Sequence, residues 1–263
     1  MKTVLTIAGS DPFGGAGMQA DIKTMTAHGV YAMTAVSLIS VQNSVGFYKV
    51  QETTKEFLEM QIDYLFKDVT PDATKTGMLL SRELIKMTAK KLKEYKPQNL
   101  IIDPVIVSHK KIKLINDDAI ETLLNELIPL DYLITPNKEE TEIIADMIIK
   151  DEKDMEIAAK KIFEQYGCNI ITKSGVEGDN ANDYLYTKDG GHWLYGEKID
   201  TKNVRGTGDA LSSAIASNLA KDYELIEACE AAKRYVTKAL KSNIQIGHGK
   251  GPIDNSFDIE GVY

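Results

Sequence analysis

Short β-branched runs alternate with longer amphipathic stretches along this chain, and no other feature constrains its fold as much. Val4-Leu5-Thr6-Ile7 predicts a strand that runs into the turn Gly9-Ser10-Asp11-Pro12. Past Gly14-Gly15, the residues Met18, Ile22 and Met25 fall on one helical face, with Gly29 as the stop. Residues 34–41 read as a buried strand, and further strands are predicted at 100–102, 132–134 and 169–172. Helical periodicity marks residues 57–65, 84–92, 120–127, 143–149, 157–166, 208–220 and 225–240. One stretch breaks the rhythm: residues 183–187 and 192–195 flank Lys188-Asp189-Gly190-Gly191, which predicts a β-hairpin. Strand–helix alternation of this kind implies an α/β sandwich, with a mostly parallel central sheet and helices on both faces. No linker, repeat or low-complexity tract interrupts it, so residues 1–263 are expected to form a single domain.

Composition narrows the function classes. The 263 residues are 43% hydrophobic and 27% charged, which excludes a disordered or collagen-like chain. A formal net charge of -8 argues against a nucleic-acid groove or an anionic membrane surface as partner. It leaves open a phosphate-bearing ligand, because backbone amides bind phosphate without net positive charge. Among the basic residues only Arg82, Arg205 and Arg234 are arginine, so an anion site is expected to use lysine and backbone N–H groups. Cys168 and Cys229 have neither zinc-site nor disulfide-framework spacing and read as small buried apolar residues. The apolar start ends at Ser10-Asp11-Pro12, too early for a signal peptide, and no run of about 18 apolar residues offers a membrane span. A cytoplasmic protein is expected.

The unusual polar residues cluster by position. Ligands of parallel α/β sheets bind outside the carboxyl ends of the strands. There lie Asp11 and the glycines after it, Gln42-Asn43, Lys75-Thr76-Gly77, Asp103, Asn137 and Lys173. The sharpest signal is Gly206-Thr207-Gly208-Asp209, a glycine-rich turn opening a helix, where free N–H groups and the helix dipole suit a phosphate or a developing oxyanion. Asp209 in the first turn could take a hydroxyl proton as general base, or could simply favour the helix dipole. The dinucleotide spacing G-x-G-x-x-G is absent around Gly14-Gly15-Ala16-Gly17, and the chain has no P-loop sequence.

These motifs together resemble the ribokinase-like superfamily, and within it the hydroxymethylpyrimidine/phosphomethylpyrimidine kinases of thiamin synthesis. The resemblance runs through Ile7-Ala8-Gly9-Ser10-Asp11-Pro12, Gln19-Ala20-Asp21-Ile22-Lys23-Thr24, Val41-Gln42-Asn43 and Lys75-Thr76-Gly77-Met78-Leu79. It continues through Asp103-Pro104-Val105, Ile134-Thr135-Pro136-Asn137 with Glu140, Gly206-Thr207-Gly208 and Gly247-His248-Gly249-Lys250-Gly251-Pro252. It implies a three-layer α/β/α kinase that transfers the γ-phosphate of ATP, with Mg²⁺, to a hydroxymethyl group on a small aromatic ring. A monovalent cation is a further candidate cofactor, and a homodimer is the implied assembly, through an apolar helix face or the hairpin near Trp193.

The resemblance also implies roles. Asp21 and Gln42 would hold the pyrimidine's amino group and ring nitrogens, Met78 and Val105 would line its faces, and Gly9 and Asp11 would border the substrate. Asn137 and Glu140 look like an N-x-x-E element that orients magnesium and its waters, with Asp103 holding the metal-water shell. Lys173 and Thr207 would approach the nucleotide phosphates. Asp209 would be the base, with Gly206, Thr207 and Gly208 stabilising the transferring phosphoryl group. The chain departs from the family pattern at several positions. These kinases usually carry cysteine at Asp209, histidine at Arg205 and serine or threonine at Phe13. Their glycine-containing flap becomes Ser108-His109-Lys110-Lys111, and their Lys-Gly-Gly-His becomes Lys173-Ser174-Gly175-Val176. Aspartate at 209 matches the sugar kinases of the superfamily and implies alcohol phosphorylation by general-base catalysis. Arg205 could bind the phosphate of a monophosphate substrate. Pyridoxal, another hydroxymethyl-bearing ring, is the alternative substrate; a non-catalytic ligand sensor on the same fold is the third reading.

Overall fold

A computed structural model describes residues 1–107, 113–130, 132–173 and 180–259. Among them, nine strands form one sheet in the order β3-β2-β1-β4-β5-β6-β7-β8-β9. The strands are β1 (Thr3–Ser10), β2 (Tyr31–Gln42), β3 (Phe47–Glu52), β4 (Ala73–Thr76), β5 (Leu100–Ile102), β6 (Leu133–Ile134), β7 (Asn169–Thr172), β8 (Asp183–Thr187) and β9 (Gly190–Leu194). From β2 through β1 and β4 to β7 all neighbours are parallel; β3, β8 and β9 add antiparallel edges. The helices are α1 (Gly17–Ala27), α2 (Lys55–Asp68), α3 (Arg82–Tyr95), α4 (Asp117–Thr122), α5 (Lys138–Ala145), α6 (Glu152–Tyr166), α7 (Thr207–Ala220) and α8 (Leu225–Ser242).

Alternation along each strand sends neighbouring side chains to opposite faces, and the core divides accordingly. Leu5, Ile7, Leu100, Ile102 and Ile170 meet the buried faces of α2 through α6. Val4, Ile101 and Ile171 meet α1, α7 and α8 on the other side. The result is the expected α/β/α arrangement. Within it, Thr54, Ser81 and Asp151 cap α2, α3 and α6 by accepting the backbone N–H three residues on. Cys168 and Cys229 are both buried, as their small apolar character suggests. No helix among the described residues is long and apolar enough to cross a membrane.

Three elements differ from the sequence expectation. β3 has no counterpart in it; this strand folds back on β2 beyond the Asn43–Gly46 turn, its side chains largely exposed, so it carries no apolar pattern. The helix expected at 143–149 instead spans Lys138–Ala145, because Asn137 caps its start and Asp146 ends it in the left-handed conformation. The stretch 120–127 begins as α4 and continues as a π-helical turn, Leu123–Leu127, and a 3-10 turn, Ile128–Leu130. The hairpin is present, with the tighter turn Lys188-Asp189. Trp193 packs on Tyr184 and its indole N–H donates to Glu156.

Candidate active site

The carboxyl ends of the parallel strands gather the polar residues into two adjoining clusters, joined where Gly206 packs against Gly15. Gly206 has φ 82°, and a Cβ there would stand 2.1 Å from the Gly15 carbonyl oxygen. Glycine is thus required twice over, for conformation and for space. Gly17 meets the same demand on the other side of the loop: a Cβ would lie 2.4 Å from the Gly9 carbonyl oxygen.

The first cluster surrounds the N-terminus of α7. Helical geometry leaves the first-turn amides of α7 without intrahelical partners, so Gly208 and Asp209 present open donors there. The Thr207 hydroxyl and amide both donate to the Val204 carbonyl, at 2.7 and 3.3 Å. Lys173 reaches over this end and pairs with Asp103 at 3.2 Å. A Cβ on Gly208 would lie 3.3 Å from Lys173 Nζ and 3.6 Å from Asp103 Oδ2, so an ammonium and a carboxylate oxygen both face the helix start. Burial opposes the Lys173 charge, but Asp103 and Glu140 outweigh it and raise its pKa above the usual lysine value. Asn137 bridges to Lys173 across neighbouring strand ends.

Both oxygens of Glu140 accept from backbone amides. One oxygen accepts from Ile106 at 2.9 Å and Val107 at 3.4 Å; the other accepts from Asn137 at 2.9 Å, closing a capping box. Its burial raises its pKa, Lys173 opposing and Asp103 adding to the rise. Amide donors to both oxygens fix the Glu140 carboxylate beside Lys173 and Asp103. The amides it holds follow Val105, whose φ of 45° is an outlier for a β-branched residue. Such a conformation costs about 1–3 kcal/mol and persists only where its surroundings hold it. No group of three or more His, Cys, Asp or Glu among the described residues could hold a metal ion alone. The free oxygen of Asp103 nevertheless suits Mg²⁺, which binds through one or two carboxylates together with substrate phosphates.

The second cluster lies under the glycine loop. Asp11 is buried and its oxygens accept from Phe13, Gly15 and Ala16 amides and from Arg205 Nε at 3.1 Å. Through these donors it shapes the loop. Arg205 Nη2 also donates to Gln42 Oε1, while Gln42 Nε2 donates to Ser40 at 2.8 Å. Gly9 is a packing position, since a Cβ would stand 2.6 Å from Leu38. Met78 and Val105 are partly exposed at neighbouring strand ends. Phe13 lies 3.4 Å from where a Cβ on Gly247 would be, and Ser44 accepts from the His248 and Gly249 amides, so the C-terminal glycine segment closes over this side. The expected flap at 108–111 and residues 174–176 lie outside the described residues.

Asp21 differs most from expectation. It is fully buried, accepts from Thr6 at 2.6 Å and Ser213 at 2.7 Å, and pairs with Lys75 at 2.7 Å. Its place is behind the site, not on its surface. Burial pushes its carboxyl up to about 6 even against the Lys75 ammonium, and the Asp209 charge adds to the push. Lys75 is the residue that sequence reasoning left without a role, although a lysine inside the strand Ala73–Thr76 was a visible anomaly. Burial works against its ammonium, but Asp21, Asp209 and Asp103 outweigh that and raise its pKa.

Known proteins resemble the chain over nearly its whole length. The model of a family described as phosphomethylpyrimidine kinase matches residues 11–254. The thiamine biosynthesis bifunctional protein ThiED of Geobacter sulfurreducens is 38% identical over 262 residues, 99% of this chain and 53% of that protein. The chain thus spans about half the length of that relative. The hydroxymethylpyrimidine/phosphomethylpyrimidine kinase of Bacillus subtilis is 36% identical over 253 residues, 95% of this chain and 93% of that one. The crystal structure of an ADP complex of Bacillus subtilis pyridoxal kinase superposes with a TM-score of 0.91 at 35% identity, covering 97% of this chain and 98% of that chain.

Proposed function

The chain belongs to the phosphomethylpyrimidine kinase family, and from that membership we propose that it phosphorylates hydroxymethylpyrimidine, and then the monophosphate, in thiamin diphosphate biosynthesis. It is a phosphotransferase with the ribokinase-like fold. Its phosphate donor is ATP, consistent with the ADP held by the similar pyridoxal kinase. The observation that carries this reading is the convergence at α7 of the Asp209 carboxylate, the open Gly208 and Asp209 amides and the Lys173 ammonium.

In this reading the first-turn amides and Lys173 bind the transferring phosphoryl group and strengthen their hold as its charge spreads. Asp103 would hold Mg²⁺ together with the phosphates, and the ion would supply further charge neutralisation there. Asp209, its side chain 20% exposed, takes the hydroxymethyl proton. Gln42, Met78 and Val105 border the ring. Asp11 and Asp21 serve the substrate side indirectly, through Arg205 and Lys75, and Glu140 holds the Val105 segment in place.

Steady-state assays with Mg·ATP and each of hydroxymethylpyrimidine, its monophosphate and pyridoxal test the assignment by following ADP. Turnover of the two pyrimidines is expected. Turnover of pyridoxal alone would favour the related activity of the pyridoxal kinase neighbour, and none with any substrate would leave a ligand sensor.

Arg205 is proposed to select the second substrate. Asp11 and Gln42 engage Nε and Nη2, leaving Nη1 for a phosphate oxygen. A hydrogen bond to a charged group contributes about 1.5–3 kcal/mol, so Arg205→Met should raise KM for the monophosphate roughly 10- to 100-fold. KM for the unphosphorylated alcohol should change much less. Equal changes would confine Arg205 to holding Asp11 and Gln42.

A homodimer is proposed through the edge formed by β2, β3 and α2. Val41, Val45, Phe47, Phe57, Met60 and Tyr64 are all more than half exposed there. A large apolar face of this kind is costly on a monomer. Sedimentation of Phe57→Lys/Met60→Lys should give a monomer where the unmodified protein sediments as a dimer.

A further inference from the structure

Lys75 is not among the groups assigned above to touch the substrate or the transferring phosphoryl, yet its ammonium is fully buried, with 0% of its side chain exposed. Taking such a charge out of water costs several kcal/mol unless it is well paired. Asp21 balances that charge at 2.7 Å but takes up only one of the three ammonium donors. Asp21 is itself pinned from behind by the Thr6 and Ser213 hydroxyls, so the pair is rigid. Yet Lys75 makes a second contact, to Asp209 Oδ1 at 3.4 Å. Ser213 stands one turn after Asp209 on α7, so the pair touches that helix twice. This fixes the rotation of α7 about its axis relative to β4 and α1. The other charged groups around Asp209 are Asp103 and Lys173, which pair with each other.

We propose that Lys75 is a positioning residue for phosphoryl transfer: tethered by Asp21, it holds one oxygen of Asp209 and leaves the other turned to the substrate hydroxyl. The inference rests on the reading of Asp209 as the base. In the step itself, the hydroxyl oxygen forms its bond to the γ-phosphorus and its proton passes to the free Asp209 oxygen. The bond between the γ-phosphorus and the bridging oxygen breaks, and ADP leaves with that electron pair. Lys75 neither gains nor loses a proton. The 3.4 Å contact is long for a charged pair, as catalytic contacts often are before substrate binds.

The alternative is that the Lys75–Asp21 pair merely holds the fold together. Lys75→Met alone would strand a buried carboxylate and could unfold the protein, so the test replaces both partners with Lys75→Met/Asp21→Asn. Thr6 and Ser213 donate to different Asp21 oxygens, so the new carboxamide accepts from one hydroxyl and donates its NH₂ to the other once that hydroxyl rotates, and the charge of the pair is removed whole. Thermal unfolding establishes that the double variant is folded before its kinetics are read. Its kcat on hydroxymethylpyrimidine should fall about 10²-fold, as expected when a reacting group is displaced by an ångström or so. KM for ATP and for the pyrimidine should stay within about twofold.

The deciding measurement is the same double replacement made in an Asp209→Asn background. If Lys75 acts through Asp209, kcat there should fall by less than about twofold more, because coupled groups do not lose their effects twice. An equal loss in both backgrounds, or a change confined to KM, overturns the proposal. Full hydroxymethylpyrimidine turnover by Asp209→Asn alone would instead overturn the base assignment, and with it the premise on which Lys75 acts.

Discussion

Asp209→Asn is expected to lower kcat on hydroxymethylpyrimidine by about 10²–10⁴-fold, the range typical of removing a general base. Turnover of the monophosphate should fall far less, because its nucleophile is already an anion and has no proton to surrender. The asymmetry is what identifies the role. Asparagine keeps the size of the side chain, and the Gly208 amide, Lys173 and Asp103 remain where they are. A loss common to both substrates would therefore mean that residue 209 serves phosphate binding and not proton transfer. Parallel initial-rate measurements on the two substrates at saturating ATP make the comparison.

The second large effect is expected at Gly206. Its φ of 82° already penalises any side chain, and a Cβ would overlap the Gly15 carbonyl oxygen at 2.1 Å. That oxygen is backbone and cannot rotate away, so Gly206→Ala must part the two loops. The start of α7 then shifts relative to the Asp11–Gly17 loop, and with it the open amides and Asp209. A displacement of about an ångström at this point should cost roughly 10²-fold in kcat for both substrates. Gly167 supplies the control: it has φ 74°, but nothing lies within 4 Å of its added Cβ. Gly167→Ala should lose only about 1 kcal/mol of stability from left-handed strain and keep full activity. Tm and kcat measured on the two variants separate the steric from the conformational effect; equal kcat losses would refute the loop-packing account.

Much of this molecule is legible in the order of its residues, for reasons that are local. The apolar runs at 3–10 and 169–172 are legible because those strands are buried on both faces, and the helical periodicity of α3 and α8 because each helix buries one face against the sheet. Caps and stops act within three or four residues, so the stop at Gly29 can be read from spacing, whereas Asn137-x-x-Glu140 stands out only through the family resemblance and is a capping box in the fold. β3 escapes because it is exposed at an edge and needs no apolar pattern. A helix over 143–149 is misplaced because Ile149 is buried by the tertiary packing of a loop, not by helical period.

The candidate site shows the same division. Local pattern is enough to say that polar residues collect at the carboxyl ends of parallel strands, and that a glycine turn opens α7 with a carboxylate in its first turn. Those features follow from chain direction and from the unpaired amides of any helix start. Which carboxylate faces the ligand and which is turned inward emerges only when distant segments pack together. Asp21 meets Lys75 across 54 positions and Ser213 across 192, and Arg205 reaches Asp11 across 194. A carboxylate's role depends on the donors around it and on the water it has lost. Both belong to the packed structure and to no stretch of the chain.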